Sequence, residues 1–211
     1  VHGGGLGIKK KLDKLNIKSK FIMGLRVTDK KMIKIVEDVM TEFNKEIVNA
    51  LEKKSCKAKS ITVKENNAIY VQQKNKELGY VGSPTRVDIK LIKNFIHNDF
   101  VPIIAPMGLD EKKQVYNINA DTVAGALAIS LKSRRLLLMT DVEGVYDENK
   151  KLISEIKSAQ AEKLIYNQTI HGGMIPKIKT CINAVNNNVK GVVIIDGRKS
   201  HSILFELFSD Q

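Results

Sequence analysis

Short apolar runs alternate with longer stretches of helical period along this chain, and that alternation most restricts its fold. The clearest run is Arg135-Leu136-Leu137-Leu138-Met139-Thr140. It is too short for a helix and apolar at successive positions, which predicts a central strand covered on both faces. Gly191-Val192-Val193-Ile194-Ile195 predicts a second buried strand, and residues 100–105 a third, Pro102 notwithstanding. Strand-like Gln114-Val115-Tyr116 is a further short run. Helix-like segments separate these runs, so βα units around a mostly parallel sheet are expected.

The strongest helical pattern spans 29–53. Met32, Val36, Val39, Phe43, Ile47 and Leu51 recur every three or four residues as a core-facing stripe, with Thr28 or Asp29 as the cap. Helices are also expected over 8–15, 87–97, 120–132, 158–166, 174–187 and 201–208. Residues 17–27 predict a hairpin or irregular loop around Gly24. Residues 60–64 and 68–73 predict paired strands joined by Glu65-Asn66-Asn67, and 78–82 another short strand.

Composition removes several function classes. The 211 residues are 43% hydrophobic and 27% charged, which suits a folded domain. No apolar run approaches the roughly 20 residues that span a bilayer. Two cysteines far apart, with no close His or Cys neighbour, exclude a disulfide scaffold and argue against a zinc site. The formal charge of +12 invites a nucleic-acid reading, but only five of 35 basic residues are Arg and the lysines run from end to end. Five Tyr, six Phe and no Trp leave few stacking platforms. The excess reads as a solvated basic surface, with no nucleic-acid partner.

Five segments carry candidate chemistry. His2-Gly3-Gly4-Gly5 and Gly172-Gly173-Met174-Ile175-Pro176-Lys177 are glycine turns entering helices, where backbone N–H groups and the helix dipole favour an anion. Neither is a Walker loop. Lys177 falls in a first helical turn, unfavourable unless it meets negative charge. Arg26, in Gly24-Leu25-Arg26-Val27-Thr28, reads either as a surface arginine or as a fork for carboxylate or phosphate. In Asn117-Ile118-Asn119-Ala120-Asp121 alternation places both asparagines on one face. Asp121 there is either a helix cap or an anchor for catalytic lysines. Thr140-Asp141-Val142-Glu143-Gly144-Val145-Tyr146-Asp147 follows the central strand, where open α/β sheets gather ligands.

Taken in order and spacing, H-G-G-G, G-L-R-V-T, N-I-N-A-D, L-L-L-M-T-D-V-E-G-V and G-G-M-I-P-K resemble the acetylglutamate kinases of the amino acid kinase family, over the whole chain. The resemblance implies a three-layer αβα sandwich with a mainly parallel open sheet. It implies an acetylglutamate-binding and dimerisation half over 1–132 and an ATP-binding half over 133–211. The implied reaction moves the ATP γ-phosphoryl group to the side-chain carboxylate of N-acetyl-L-glutamate, the second step of arginine biosynthesis. Gly3, Gly4, Arg26 and Asn117 would bind acetylglutamate. Lys177, Asp121 and Asn119 would be catalytic. Thr140, Asp141, Val142, Glu143, Gly144, Val145, Tyr146, Thr169, Ile170 and His171 would line the ATP site. ATP would arrive with Mg²⁺, and no residue set for a separate metal site is evident.

The resemblance further implies a homodimer or hexamer, a PII-type nitrogen signalling protein as a partner in some members, no membrane, and a cytoplasmic location. The Lys-, Ile- and Asn-rich composition, an A/T-rich signature, adds the plastid stroma as an alternative. It places a lysine-bearing strand before Val1 and a glycine-rich tail after Gln211, so the sequence is expected to be a fragment. Val63 and Thr41 stand where the family usually has glycine. The alternatives are another amino acid kinase, or a non-catalytic protein of the same fold.

Overall fold

Residues 1–208 are described by the computed structural model. The first glycine turn opens α1 (Gly5–Lys14), which buries Ile8 and Leu12 on one face, four residues apart. Residues 17–27 are a hairpin, β1 (Phe21–Ile22) with β2 (Leu25–Arg26), turned by Met23 and Gly24 at positive φ. Asp29, not Thr28, caps α2 (Lys30–Glu52): its Oδ1 accepts from the N–H groups of Lys31 and Met32 at 2.9 and 2.7 Å. The buried row of α2 is Met32, Val36, Met40 and Asn44, with Ile33 beside it. Phe43, expected in the core, is 39% exposed, and the adjacent Asn44 faces inward instead.

β3 (Ala58–Ile61) and β4 (Ile69–Gln73) do not form the expected hairpin. Thr62 and Glu65 exchange backbone hydrogen bonds at 2.7 and 3.3 Å. That local loop is a genuine turn, but it delivers the two strands to different partners. The strand expected at 78–82 lies later: Lys76–Leu78 is a 3-10 turn, and β5 is Gly82–Val87. Asp88 then caps α3 (Ile89–His97). β6 (Val101–Ile104) runs parallel to β3, and Val101 at its start is exposed. β7 (Met107–Leu109) pairs parallel with β4 and antiparallel with β8 (Val115–Asn117), giving a four-strand order β5-β4-β7-β8.

α4 (Ala120–Ser130) leads into β9 (Arg135–Thr140). A small hairpin, β10 (Val145–Tyr146) with β11 (Leu152–Ile153), precedes α5 (Ser158–Tyr166) and α6 (Met174–Asn186). β12 (Gly191–Asp196) returns parallel to β9, and α7 (Ser202–Phe208) closes the described chain. The antiparallel pairs are local, whereas each parallel pair encloses at least one helix, as crossover connections require.

Two apolar clusters lie on opposite faces of the first strands. One joins Ile61, Ile69, Val71 and Ile104 to Ile92 of α3 and Val123 and Leu127 of α4. The other joins Ala105 and Met107 to Ile8 and Leu12 of α1 and to Met32, Val36 and Met40 of α2. This is the αβα layering, produced by the period-two alternation of the strands. A third cluster sets Leu136 and Leu138 of β9 against Ala128 of α4 and Ala184 of α6. α4 therefore packs on both parts of the molecule, because it is apolar on more than one face.

Candidate active site

The starts of two helices meet at the centre of the site. Asn119 caps α4, its Oδ1 accepting from Thr122 N–H at 3.0 Å and from the Thr122 hydroxyl at 3.3 Å. That leaves Asp121, in the first turn, free of capping duty. α6 starts at Gly173 with no side-chain cap. The Met174 and Ile175 N–H groups turn back to His171 O and Gly172 O at 3.3 Å, and Pro176 has no N–H. Among the described residues the donors left for an anion are therefore the Gly172 and Gly173 N–H groups of the preceding turn. The two helices pack closely: a Cβ on Gly125 would stand 2.5 Å from Thr180 Cγ2. Four residues earlier on α4 and three earlier on α6, Lys177 Nζ donates to Asp121 Oδ1 at 2.7 Å. Their side chains are 10% and 19% exposed. A lysine beside two helix N-termini is electrostatically misplaced on its own, and Asp121 offsets that cost. Cys181, on α6 near this pair, is inert by comparison, since burial pushes its thiol up to about 11.

The β1–β2 hairpin is held against the same helix start. Gly24, at φ +79°, lies so close that a Cβ would come 2.8 Å from the Gly172 carbonyl oxygen and 3.2 Å from Pro176 Cδ. Two residues on, Arg26 lies over the Phe21 ring, 4.7 Å from its centroid, and bonds Ser19 Oγ through Nη1. Partial burial lowers its pKa from the ordinary value, and arginine stays charged regardless. Thr28, fully buried, links this hairpin to β8: its hydroxyl donates to Arg26 O at 3.0 Å and accepts from Asn117 Nδ2 at 3.3 Å. Asn117 is itself buried and bonded through its N–H to Tyr80 O. Arg26, Asn117, Asn119, Asp121 and Lys177 are thus joined by one chain of contacts through Thr28, Gly24 and the starts of α4 and α6.

Gly3 and Gly4 sit at the opposite end of a short path. His2 N–H donates to Ile104 O at 3.3 Å, and the strands after β6 lead to Asn117. A Cβ on Gly3 would meet nothing within 4 Å, so its surroundings are open. A Cβ on Gly4 would collide with Met40 Sδ at 2.6 Å, which fixes how closely the turn hugs α2.

The second group of candidates lies at the carboxyl ends of the parallel pair β9–β12. Thr140 and Asp196 are register partners there, and Gly197 N–H donates to Thr140 O at 2.8 Å. Asp141, Glu143 and Tyr146 are exposed, while Val142 and Thr140 are half-buried. Glu143 accepts from Tyr146 OH at 3.1 Å and pairs with Lys199 Nζ at 3.3 Å, and the Lys199 bond holds its carboxyl below the usual range. Val145 and Ile170 have buried side chains in one apolar cluster with Leu164 and Ile178, so only their backbone faces a ligand. Gly144 is buried. Thr169 donates to Asn167 Oδ1 at 3.2 Å, and His171 is exposed beside the start of α6.

Asp196, Arg198 and Lys199 escaped the sequence reading. Arg198 grips Asp196 through Nε and Nη2, both at 2.9 Å, and its own N–H adds a third bond at 3.0 Å. Chiefly through the Arg198 side-chain bonds, the Asp196 carboxyl is held down at about 2. Their one sequence signal was position, immediately after a buried parallel strand. Among the described residues no group of three or more His, Cys, Asp or Glu could hold a metal ion. No helix among them is long and apolar enough to cross a membrane.

Known proteins resemble the chain along its whole length. The amino acid kinase family matches residues 1–196. The acetylglutamate kinase of Pelagibacter ubique is 60% identical over the whole chain, which spans 73% of that protein. That of Rhodopseudomonas palustris (strain CGA009) is 43% identical, with all of this chain and 76% of the relative covered. A crystal structure from Streptococcus mutans superposes with a TM-score of 0.88 at 32% identity, over 92% of this chain and 80% of the other.

Proposed function

This chain belongs to the amino acid kinase family, and from that premise we infer that its reaction is transfer of the ATP γ-phosphoryl group to the side-chain carboxylate of N-acetyl-L-glutamate. The observation that carries the reading is 60% identity to an acetylglutamate kinase across every residue of the chain. The enzyme is a phosphotransferase, and its product is an acyl phosphate on the path to arginine.

The residue roles follow from what each group can do. Phosphoryl transfer needs positioning and charge neutralisation more than covalent help. Lys177 presents an ammonium group in the first turn of α6, just after the Gly172-Gly173 turn, so the site offers positive charge where the γ-phosphoryl group would gain equatorial charge. Asp121 keeps that ammonium on one bearing, and Asn119 fixes the start of the helix that carries Asp121. Arg26 takes the α-carboxylate of acetylglutamate in its fork, braced by Phe21 and Ser19. Asn117 offers an amide, and Gly3 and Gly4 offer backbone N–H groups with room for the acceptor. ATP lies across the ends of β9 and β12, against residues 140–146 and 169–171. Mg²⁺ would come as part of the ATP complex and would neutralise phosphate charge there.

In this reading residues 1–132 hold the acceptor and residues 133–211 hold ATP, with α4 as the shared wall. A homodimer or hexamer, a PII-type partner, and a cytoplasmic or plastid setting belong to the same reading. The test is acetylglutamate-dependent ADP release, with carbamate, aspartate and UMP as competing acceptors. Turnover with acetylglutamate alone is expected. Faster turnover with any other acceptor transfers the chain to a different branch of the family.

A further inference from the structure

Asn44 is fully buried in the middle of α2, in line with Met32, Val36 and Met40. An amide at that position is costly unless it bonds. Its Nδ2 donates to Ile103 O at 2.8 Å and lies 3.1 Å from His2 Nε2, while its Oδ1 has no partner among the described residues. The ambiguity that usually attends an amide and an imidazole is removed here. Ile103 O can only accept, so the nitrogen of the Asn44 amide must face it. The same NH₂ group then points a hydrogen at His2 Nε2, which must accept. His2 is therefore neutral, with its proton on Nδ1, and Nδ1 lies 3.0 Å from Gly3 O. Burial favours the neutral ring in the same sense. The Phe43 ring, edge-on at 5.3 Å, closes one side of it.

We propose that Asn44 is a positioning residue whose amide, set by the Ile103 carbonyl, holds His2 as the Nδ1–H tautomer so that His2 fixes the Gly3–Gly4 peptide in the acceptor site. In a trans peptide the C=O and N–H point in opposite directions. Binding the Gly3 carbonyl to the imidazole therefore aims the Gly4 N–H away from it. Among the described residues no acceptor meets the N–H groups of Gly3, Gly4 or Gly5, so this peptide is oriented with its donor free. Met40, one turn before Asn44 on α2, touches Gly4 from the same helix face. α2 thus sets both the distance and the direction of the turn. The kinetic consequence rests on the proposed acetylglutamate reaction, whereas the tautomer does not.

The tautomer is read by ¹⁵N NMR of the histidine-labelled protein at neutral pH. A protonated Nδ1 with an unprotonated Nε2 on His2 is expected, the reverse of the tautomer favoured by a free imidazole. A His2 resonance with the proton on Nε2 overturns the proposal. Asn44→Leu keeps the bulk and removes both donors. It should return His2 to the Nε2–H form and lower kcat about tenfold, the rate equivalent of one lost hydrogen bond, with the ATP KM unchanged. A wild-type kcat in a folded Asn44→Leu variant also overturns it. A second pair of variants covers failure of that protein to fold. His2→Asn retains a donor at the Nδ1 position for Gly3 O, and His2→Gln places its amide at the Nε2 position. His2→Asn should keep more turnover than His2→Gln, and the opposite order refutes the role assigned to Gly3 O. The competing-acceptor assay on the parent protein tests the reaction separately: turnover with another acceptor in place of acetylglutamate would overturn the proposed reaction and leave the tautomer of His2 standing.

Discussion

The cluster around Lys177 and the strand ends after β9 and β12 are both built from charged groups, but they are held in different ways. Around Lys177 the positions are fixed by buried contacts between backbone and short side chains: Gly24 against Gly172, Gly125 against Thr180, Thr28 between Arg26 and Asn117. Around Glu143 they are fixed largely by long exposed side chains, with Lys199 63% and Arg198 60% exposed. Water competes for the second set and is largely kept from the first. On the proposed function, the difference separates a preorganised chemical centre from a region that would adjust as a nucleotide enters and leaves. It also ranks what substitutions should do.

The largest effect is expected at Lys177. Lys177→Ala should lower kcat by about 10²–10³, the range seen when one preorganised group that stabilises transition-state charge is removed. Both KM values should change little, because this charge matters most once the phosphoryl group is in flight. Steady-state ADP release checks this, and a kcat within a few-fold of the parent would take Lys177 out of the mechanism. Next is Arg26→Lys. It keeps the charge and loses the fork, so the acetylglutamate KM should rise about tenfold, as for one charge-assisted hydrogen bond, while the ATP KM holds. A rise in the ATP KM instead would show that the two regions are not separate sites. Gly24→Ala tests the support beneath Arg26. With φ at +79° and a carbonyl oxygen in the way, it should cost about 1–2 kcal/mol of stability from backbone conformation alone. It should also raise the acetylglutamate KM. Thermal unfolding and kinetics measured together would expose a hairpin that is merely structural, since stability would then fall with KM unchanged.

The cluster around Lys177 was the more legible in sequence, and the reason is geometric. Asn-x-Asn-x-Asp at a strand-to-helix junction and a lysine in a first helical turn are local patterns with local causes. Residues 196–199 show none, because Asp196 gains its significance only from lying in register with Thr140 on a strand 56 residues away. The same division runs through the fold. Helices were legible almost to their ends, since their hydrogen bonds are internal. Glu65-Asn66-Asn67 has the chemistry of a hairpin turn, yet the partners of β3 and β4 are decided by longer-range pairing. Phe43 and Asn44 are neighbours only 100° apart on the helix. The stripe pattern could not choose between them, and the buried contact of Asn44 with Ile103 and His2 decided the rotation.

A smaller effect is expected at Asp196. Its folded pKa, about 2, lies below the ordinary aspartate value, so the native state favours the ionised form. The stabilisation is therefore complete above the unfolded pKa and is lost as pH falls through the folded one. Asp196→Asn should lower the urea midpoint at pH 7, and the gap from the parent should close progressively between about pH 4 and pH 2. A gap that persists unchanged at the acid end would mean that the Asn variant suffers from packing and not from lost charge.

The smallest effect is expected at Lys199, and it bears most directly on the contrast between the two regions. The Lys199–Glu143 pair is exposed, so ions and water already weaken it. If Lys199 only ties the two loops together, Lys199→Ala should change the ATP KM by no more than about twofold, since exposed pairs contribute little. That change should shrink further when salt is raised from 50 to roughly 500 mM, where screening acts over a few ångströms. A phosphate contact behaves otherwise. An ammonium that leaves Glu143 for the triphosphate would be desolvated on binding, and its loss would raise the ATP KM tenfold or more by the measure of a charged hydrogen bond. Measuring the ATP KM of this variant at the two salt concentrations separates the cases. The larger, salt-resistant result would place a preorganised phosphate-binding cation on the strand-end side and remove the distinction drawn between the two halves of the site.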